Sequence, residues 1–377
     1  MFGTQDMLKR RKTKVIKVGS VKIGGNSPIS IQSMLKSKTS CVEKAVRTIN
    51  GLKKAGCEII RVAVKDASDA RAIKVIKKEI NIPLVADIHF DYQLALESIR
   101  NDADKIRINP GNISKPEHLK EIIKAAKKRK IPIRIGINSG SIPWKIQNPK
   151  SKIQNKSQII PHIRSGKANP KFVQFVLKFI KFFEKENFRD IIISLKSSDV
   201  YETVDSYRKL ARVCDYPFHL GITAAGPYDS GIVKSSIGIG TLLLDGIGDT
   251  IRVSLTGDAC EEVIAAKRIL QSLKLRNFGP DIISCPTCGR CQVDLKRIVE
   301  EVQSRQQARG NRQQGKRSVK IAVMGCEVNG PGEARDADIG IAFGKNSGML
   351  FKKGKIVKKV RAKDAVKELL NILGASS

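Results

Sequence analysis

No apolar run in this 377-residue sequence approaches the roughly 20 residues that span a membrane. Met1 to Lys17 is polar and basic and carries no apolar export-signal core. Together these absences set the expectation of a cytosolic protein. Aromatic residues are scarce, at 5% with one Trp. Few of them interleave with basic residues, so the stacking platforms of single-strand-binding surfaces are missing. Acid is in the minority: 36 Asp+Glu face 70 Lys+Arg, a net charge of +34. Such an excess suits an anionic partner, whether phosphorylated substrate, nucleic acid or acidic redox protein. The competing reading is compositional bias spread over solvated helix faces.

The hydrophobic content, 41%, is enough for a core, and the length accommodates a barrel-sized domain and a smaller one. Residues 14–34 alternate apolar and polar around Gly24-Gly25-Asn26, the pattern of a hairpin that feeds a first buried strand ending at Met34. A strand–helix rhythm follows. Its further strands are expected at 59–64, 84–89, 105–109, 133–138, 191–196, 218–223 and 250–255, with helices between them and a last helix over 261–273. Eight short apolar strands alternating with helices predict an α/β fold, a (β/α)8 barrel of the TIM type over residues 1–278. A doubly wound open sheet is the alternative, but the Gly-rich phosphate loop expected after its first strand is absent. Residues 279–377 read as a small α+β unit. Lys145 to Lys167 reads as a polar loop or lid, and Gln303 to Arg317 as a polar linker.

Polar residues recur at the C-terminal ends of the expected strands: Gln32, Arg61, Asp87, His89, Arg107, Asn109, Arg134, Asn138, Lys196, His219, Arg252 and Ser254. In a barrel those ends form the active-site mouth. Several arginines and a lysine there suggest a phosphate cage, because the guanidinium fork matches phosphate oxygens two at a time. Each Arg taken singly is as well explained by a salt bridge.

The cysteines divide into two groups. Cys41, Cys57, Cys214 and Cys260 stand alone and read as small core residues. Cys285, Cys288, Cys291 and Cys326 lie in two Gly- and Pro-rich segments, Ser284 to Cys291 and Met324 to Glu333. In a reducing compartment such thiols are metal or redox ligands. C-x2-C-x2-C resembles part of a ferredoxin run, and a zinc ribbon would need a second C-x-x-C near Cys326. The residues alone therefore favour an iron–sulfur cluster on four thiolates over zinc.

These two segments resemble those of the 4-hydroxy-3-methylbut-2-enyl diphosphate synthase family of the methylerythritol phosphate pathway of isoprenoid biosynthesis. So do Asp87-Ile-His89, Arg107-Ile-Asn-Pro-Gly111, Leu220-Gly-Ile-Thr223, Val233 to Gly238 and Gly246 to Leu255. The match runs over about residues 15–370 apart from the two polar segments. The resemblance implies an iron–sulfur oxidoreductase that opens the ring of 2-C-methyl-D-erythritol 2,4-cyclodiphosphate and eliminates water. Its electrons come from reduced flavodoxin or ferredoxin through a [4Fe–4S] cluster. The implied cluster ligands are Cys285, Cys288, Cys326 and Glu333, with Cys291 left as an extra thiol. A carboxylate is a hard, exchangeable ligand, which suits an iron that must admit substrate. The expected substrate-binding residues are Arg61, Arg107, Asn109, Asn112, Arg134, Asn138, Lys196, Arg252 and Ser254; the expected catalytic residues are Glu333, Asp87 and His89. A basic nucleic-acid-binding protein with a structural cluster is the alternative, and a pure electron carrier would not need the cage.

One departure stands out. The family carries a Gly-Ile-Thr-Glu-Ala-Gly pattern whose glutamate handles protons, and here position 224 is Ala. Alanine transfers no proton, so either another group supplies it, with Asp87, His89 and Asp229 as candidates, or activity is reduced. Chain length adds an expectation about assembly. The last barrel helix covers about 20 Å back toward the N-terminal face, and Lys274 to Pro280 spans at most about 25 Å. The cluster unit is thus expected to cap the barrel of a second subunit in a head-to-tail homodimer, as the resemblance also implies, the alternative being a monomer that closes by hinge bending.

Overall fold

The computed structural model describes residues 9–109, 111–138, 170–308, 319–326, 332 and 337–374. The chain divides into two compact units, Met1–Leu275 and Arg276–Ser377. The expected loop over 145–167, most of the expected linker, and Glu333 lie outside the described residues.

In the first unit, β1 (Ile16–Val18) and β2 (Val21–Ile23) form an antiparallel hairpin. Eight parallel strands follow: β3 (Ser30–Met34), β4 (Ile59–Val64), β5 (Leu84–Ile88), β6 (Lys105–Ile108), β7 (Ile133–Asn138), β8 (Ile191–Lys196), β9 (His219–Leu220) and β10 (Thr250–Ile251). Each pairs with the next in sequence from β3 to β8, and β10 pairs with both β9 and β3. A parallel bridge between Ile193 and Phe218 joins β8 to the start of β9 and closes the barrel.

The intervening helices are α1 (Val42–Ala55), α2 (Ala67–Glu79), α3 (Tyr92–Arg100), α4 (Pro116–Arg129), α5 (Pro170–Lys185), α6 (Val200–Ala211), α7 (Tyr228–Leu244) and α8 (Ala259–Ser272). Four of them start on an aspartate that accepts a backbone N–H of the first turn. Asp66 caps α2, Asp91 α3, Asp199 α6 and Asp258 α8. Such caps are worth about 1 kcal/mol each and fix where strand gives way to helix at the mouth.

The hairpin does more than lead into β3. Ile16, Val18 and Ile23 pack against Ile59, Val85 and Ile192 and seal the N-terminal end of the barrel with an apolar floor. Strand side chains alternate between faces. The residues two positions on from that floor, Arg61, Asp87 and Ser194, therefore also face inward, as does Lys196 two further on.

The last two barrel strands are shorter than the sequence pattern predicts, two residues each instead of six. Gly221 explains the end of β9. Its φ is +159°, and a Cβ there would stand 2.5 Å from Arg252 O. The backbones approach too closely at that point for a regular ladder.

The second unit is a five-stranded sheet in sequence order: β11 (Asp281–Ser284), β12 (Lys320–Met324), β13 (Ile339–Phe343), β14 (Ser347–Lys352) and β15 (Lys355–Arg361). The first three are parallel, and the last two add antiparallel. Helices α9 (Leu295–Ala308) and α10 (Ala365–Gly374) pack with one face around Val302, Ile321, Val323, Ile341 and Leu369. Helix α9 runs on through residues 303–308, which the sequence pattern assigns to a linker. Gln, Arg and Ala are good helix formers, and Arg305 pairs with Glu301 one turn back at 2.5 Å. Of the isolated cysteines Cys57 is buried, whereas Cys41 is exposed and Cys214 and Cys260 are half-buried. Cys41 immediately precedes α1, ahead of the buried stripe Ala45, Ile49 and Leu52.

Candidate active site

Above the apolar floor the barrel interior turns polar. Asp87 on β5 is the hub. Arg107 Nη1 on β6 donates to its Oδ1 at 3.0 Å, Arg61 Nε on β4 lies 3.6 Å from its Oδ2, and His89 Nε2 lies 3.4 Å from the same oxygen. Asp87 and Arg107 are buried, while the His89 side chain is half exposed toward the mouth. Burial alone would raise the Asp87 carboxyl, but Arg61 and Arg107 outweigh it and hold the group well below the ordinary range. Asp87 is therefore ionised across the physiological range.

The remaining charge is not balanced. Among the described residues, the inward faces of the barrel strands and their ends carry six basic side chains: Arg61, Lys105, Arg107, Arg134, Lys196 and Arg252. The strands themselves set one carboxylate against them, Asp87, and the buried Glu262 of α8 adds a second that acts on Arg252. Arg134 Nη1 reaches across to Gln32 Oε1 on β3 at 3.1 Å. Arg61 Nη2 has found only the thioether of Met34, at 2.8 Å. Arg134 Nε, Lys105 Nζ, Lys196 Nζ, Arg252 Nε and Gln32 Nε2 are buried without a hydrogen-bond partner, as are both ring nitrogens of His219. Burial first, then Arg107, pushes Arg134 down to about 9. Burial followed by the neighbouring guanidinia pushes Lys196 well below its ordinary value. Burial and Arg134 do the same to His219, which is neutral. Donors stranded in this way are costly unless something accepts from them, and a multiply charged oxyanion is the fitting acceptor.

The loops hold the other expected residues. Asn109 is buried beyond β6; its Oδ1 accepts from Gly111 N–H at 3.1 Å, and its backbone carbonyl accepts from Asn112 N–H at 2.9 Å. Asn112 is half-buried on that turn. Asn138 ends β7 in register with Lys196 at the end of β8. Ser254 is half-buried in the segment after β10. Ala224 is exposed in the β9–α7 connection with φ +48°. The expected barrel residues thus converge on one interior and its mouth. Lys105, Gln32 and His219 join them there without having been included among the expected binding residues. So do two glycines that make room for long cations. A Cβ at Gly136 would meet Arg107 Nε at 2.5 Å, and one at Gly221 would meet Lys196 Nζ at 2.6 Å. An inward-facing Gly between basic neighbours is the sequence signal for this.

The thiols occupy the second unit. Cys285 directly follows β11, and Gly325-Cys326 directly follows the adjacent parallel strand β12, so both segments leave the same end of the sheet. Gly325 N–H donates to Cys285 Sγ at 3.2 Å, and Gln292 N–H donates to Gly325 O at 2.9 Å, tying the segments together. Cys291 Sγ sits 2.4 Å from where a Gly325 Cβ would be, with Cys285 Sγ 3.5 Å from that point. Thr287, between Cys285 and Cys288, is left-handed at φ +52° and turns the chain there. Cys326 is buried and Cys288 exposed. Among the described residues no three thiols, imidazoles or carboxylates already converge on a metal-sized point. What fits an iron–sulfur group is the donor set itself: soft thiolates on two adjacent strand ends, one of them already accepting an amide N–H.

The profile of the GcpE TIM-barrel domain matches residues 13–267, and that of the GcpE protein C-terminal domain matches residues 281–375. The chain belongs to the GcpE family. A relative in Caldicellulosiruptor saccharolyticus is 54% identical, covering 95% of this chain and 97% of its own. One in Caldanaerobacter subterraneus subsp. tengcongensis is 52% identical over 97% of both. Both are named 4-hydroxy-3-methylbut-2-en-1-yl diphosphate synthase (flavodoxin). Among solved structures, the dihydropteroate synthase of Stenotrophomonas maltophilia is 13% identical with a TM-score of 0.49, covering 70% of this chain and 98% of its own. A likeness that weak says nothing about activity. No helix among the described residues is long and apolar enough to cross a membrane.

Proposed function

We propose that this GcpE-family chain reductively opens 2-C-methyl-D-erythritol 2,4-cyclodiphosphate and eliminates water, giving (E)-4-hydroxy-3-methylbut-2-enyl diphosphate for isoprenoid biosynthesis. The observation that carries the reading is the interior of the barrel, where among the described residues six basic side chains outnumber the carboxylates Asp87 and Glu262 and buried donors lack acceptors. A diphosphate supplies the missing acceptors. Arg61, Arg107, Arg134, Lys196 and Arg252 bind its oxygens, and Asn109, Asn112, Asn138 and Ser254 line the rim that receives the carbon skeleton.

Cys285, Cys288 and Cys326, with Glu333, hold a [4Fe–4S] cluster. When bound, that group supplies the two electrons and a Lewis-acidic iron. A reduced flavodoxin is the donor, in keeping with the relatives' names. Ring opening leaves negative charge on the released phosphate oxygen, and the buried guanidinia stabilise it where water is excluded. The departing hydroxyl needs a proton. Asp87, kept ionised by Arg61 and Arg107, orients His89 Nε2, and the half-exposed imidazole carries the proton.

Helix α8 returns the chain to the N-terminal end of the barrel, so a homodimer in which each second unit serves the partner's barrel mouth fits the chain lengths.

The deciding experiment is anaerobic reconstitution followed by turnover of the cyclodiphosphate with reduced flavodoxin. An iron-loaded protein that binds nucleic acid in a salt-dependent way and leaves the cyclodiphosphate unchanged would overturn the reading.

A further inference from the structure

Among the described residues, Lys105 is the one cation of the barrel interior left out of the proposed phosphate cage. It opens β6, two residues before Arg107, and pairs in register with Val85 of the apolar floor. It is 0% exposed, and its Nζ has no hydrogen-bond partner. Arg134 on the neighbouring strand β7, Arg61 on β4 and His219 on β9 are close enough to interact with it electrostatically. The nearest carboxylate, Asp104 beside it in the chain, already accepts from Leu84 N–H at 2.7 Å and pairs with Lys77.

An amine so placed has no structural purpose that a Met or Leu would not serve better, because an unpaired buried cation costs stability and packs no better than an apolar chain. Its surroundings favour the neutral form while the cage is empty: burial and then Arg134 and Arg61 push it well below the ordinary lysine range. A dianion seated on Arg134 and Arg61 reverses the sign of that field.

The geometry points to Lys105 as a positioning residue of the phosphate cage, an amine that takes up a proton when a diphosphate enters and adds its charge beneath Arg134. This inference rests on the cyclodiphosphate reading above. It acts through Arg134: the new charge below drives that guanidinium up toward the phosphate oxygens. Lys105 thus makes the cage electrostatically lighter when empty and heavier when filled.

The test is titration calorimetry of the oxidised, cluster-loaded enzyme with 2-C-methyl-D-erythritol 2,4-cyclodiphosphate, without reductant so that nothing turns over. Two buffers of different ionisation enthalpy report the protons taken up at pH 8. Lys105→Met is expected to bind about tenfold more weakly, the loss of one charge-assisted interaction. It takes up fewer protons than the wild type and melts higher. Lys105→Arg, charged throughout, is expected to keep the affinity and lose the same proton uptake. A residue with a merely structural role gives the opposite pattern, a Met variant of lower melting temperature with unchanged affinity and proton count, and that result overturns the inference. Absence of binding by the wild type removes the functional reading and this inference together. Wild-type binding with an unchanged Met variant removes this inference alone.

Discussion

Gly136 lies where any side chain would strike Arg107. A Cβ built on it would stand 2.5 Å from Arg107 Nε, and its carbonyl accepts from Arg107 Nη2 at 2.9 Å. One residue thus gives the guanidinium both its space and its anchor. The other fork of that guanidinium is held by Asp87. Arg107 is aimed before any substrate arrives, and preorganisation of this kind is what makes a charge effective against developing charge in a transition state.

Gly136→Ala should therefore act on the cage before it acts on the fold. Overpacking at such a site costs about 1–3 kcal/mol, which melting curves will show as a modest fall in Tm. Displacing Arg107 should raise KM for the cyclodiphosphate about tenfold, the equivalent of 1.4 kcal/mol. Steady-state kinetics that show an unchanged KM would mean Arg107 does not touch the substrate.

The interior charges predict an unusual dependence of stability on pH. Between its depressed folded value and the ordinary 10.5, each of Lys105 and Lys196 is protonated in the unfolded chain and neutral in the folded one. The unfolded state binds more protons there, so stability rises with pH through that window. His219, also depressed, adds the same sign below 6.5. The stabilisation from Asp87 is present above 3.8 and is lost as pH falls through its lower folded value. The anion-free protein should thus melt higher at pH 9 than at pH 7, and lowest at pH 5. Saturation with the cyclodiphosphate should flatten the rise between pH 7 and 9. A Tm that falls from pH 7 to 9 would show that the two amines are charged in the empty barrel.

The reach of the sequence follows from the range of the interactions involved. The strand–helix rhythm is local, so Arg61, Asp87, Arg107, Arg134 and Lys196 could be assigned to the barrel strands and their mouth from the sequence, but not to one inward face. Lys105 has the same parity as Arg107, but a lysine at a strand start reads as solvated until its burial is known. The roles of Gly136 and Gly221 depend on side chains from neighbouring strands, and periodicity carries no record of them. The floor packed by Ile16, Val18 and Ile23 is a non-local contact, so the hairpin was legible while its function as a plug was not. Helix α9 outran its expected end because Gln- and Arg-rich composition suits a linker and an exposed helix equally well. In the second unit the cysteine spacing was informative, but that Cys285 and Cys291 both flank Gly325 depends on pairing between β11 and β12.

Ala224 offers a test of proton supply. It is exposed with φ +48°, so replacing one L residue with another adds no new backbone strain. With His89 supplying the proton, Ala224→Glu should leave Tm and kcat nearly unchanged, and His89→Gln should lose most activity, of the order of the 10²–10⁴ that a positioned general acid contributes. A kcat raised about tenfold by Ala224→Glu would show that the proton donor is missing and that His89 does not fill the role.

The proposed head-to-tail dimer predicts complementation. Cys285→Ala subunits should lack the cluster, and Arg107→Ala subunits should lack a working cage. Each homodimer should be inactive, while a mixed dimer pairs one intact cluster unit with one intact barrel and should recover up to half the activity per mixed dimer. Mixtures that stay inactive after subunit exchange, verified by differently tagged chains, would place each site within one chain.

Four thiols lie on the two strand ends, and the proposed ligand set uses three. Cys291 is half-buried beside Cys285, and its Sγ donates to Val293 O at 3.2 Å, so it already has a partner that a cluster need not replace. Cys326 is buried, and Cys285 accepts from Gly325 N–H, which ties the two ligand segments together. Replacing Cys285, Cys288 or Cys326 by Ala should therefore abolish the iron content and visible absorbance of the anaerobically reconstituted protein. Cys291→Ala should retain both. Glu333→Ala should retain the iron, which the three cysteines would still hold, but lose turnover. If Cys291→Ala loses its iron while Glu333→Ala remains active, the cluster is held by four thiolates, the set that the cysteine spacing alone suggests.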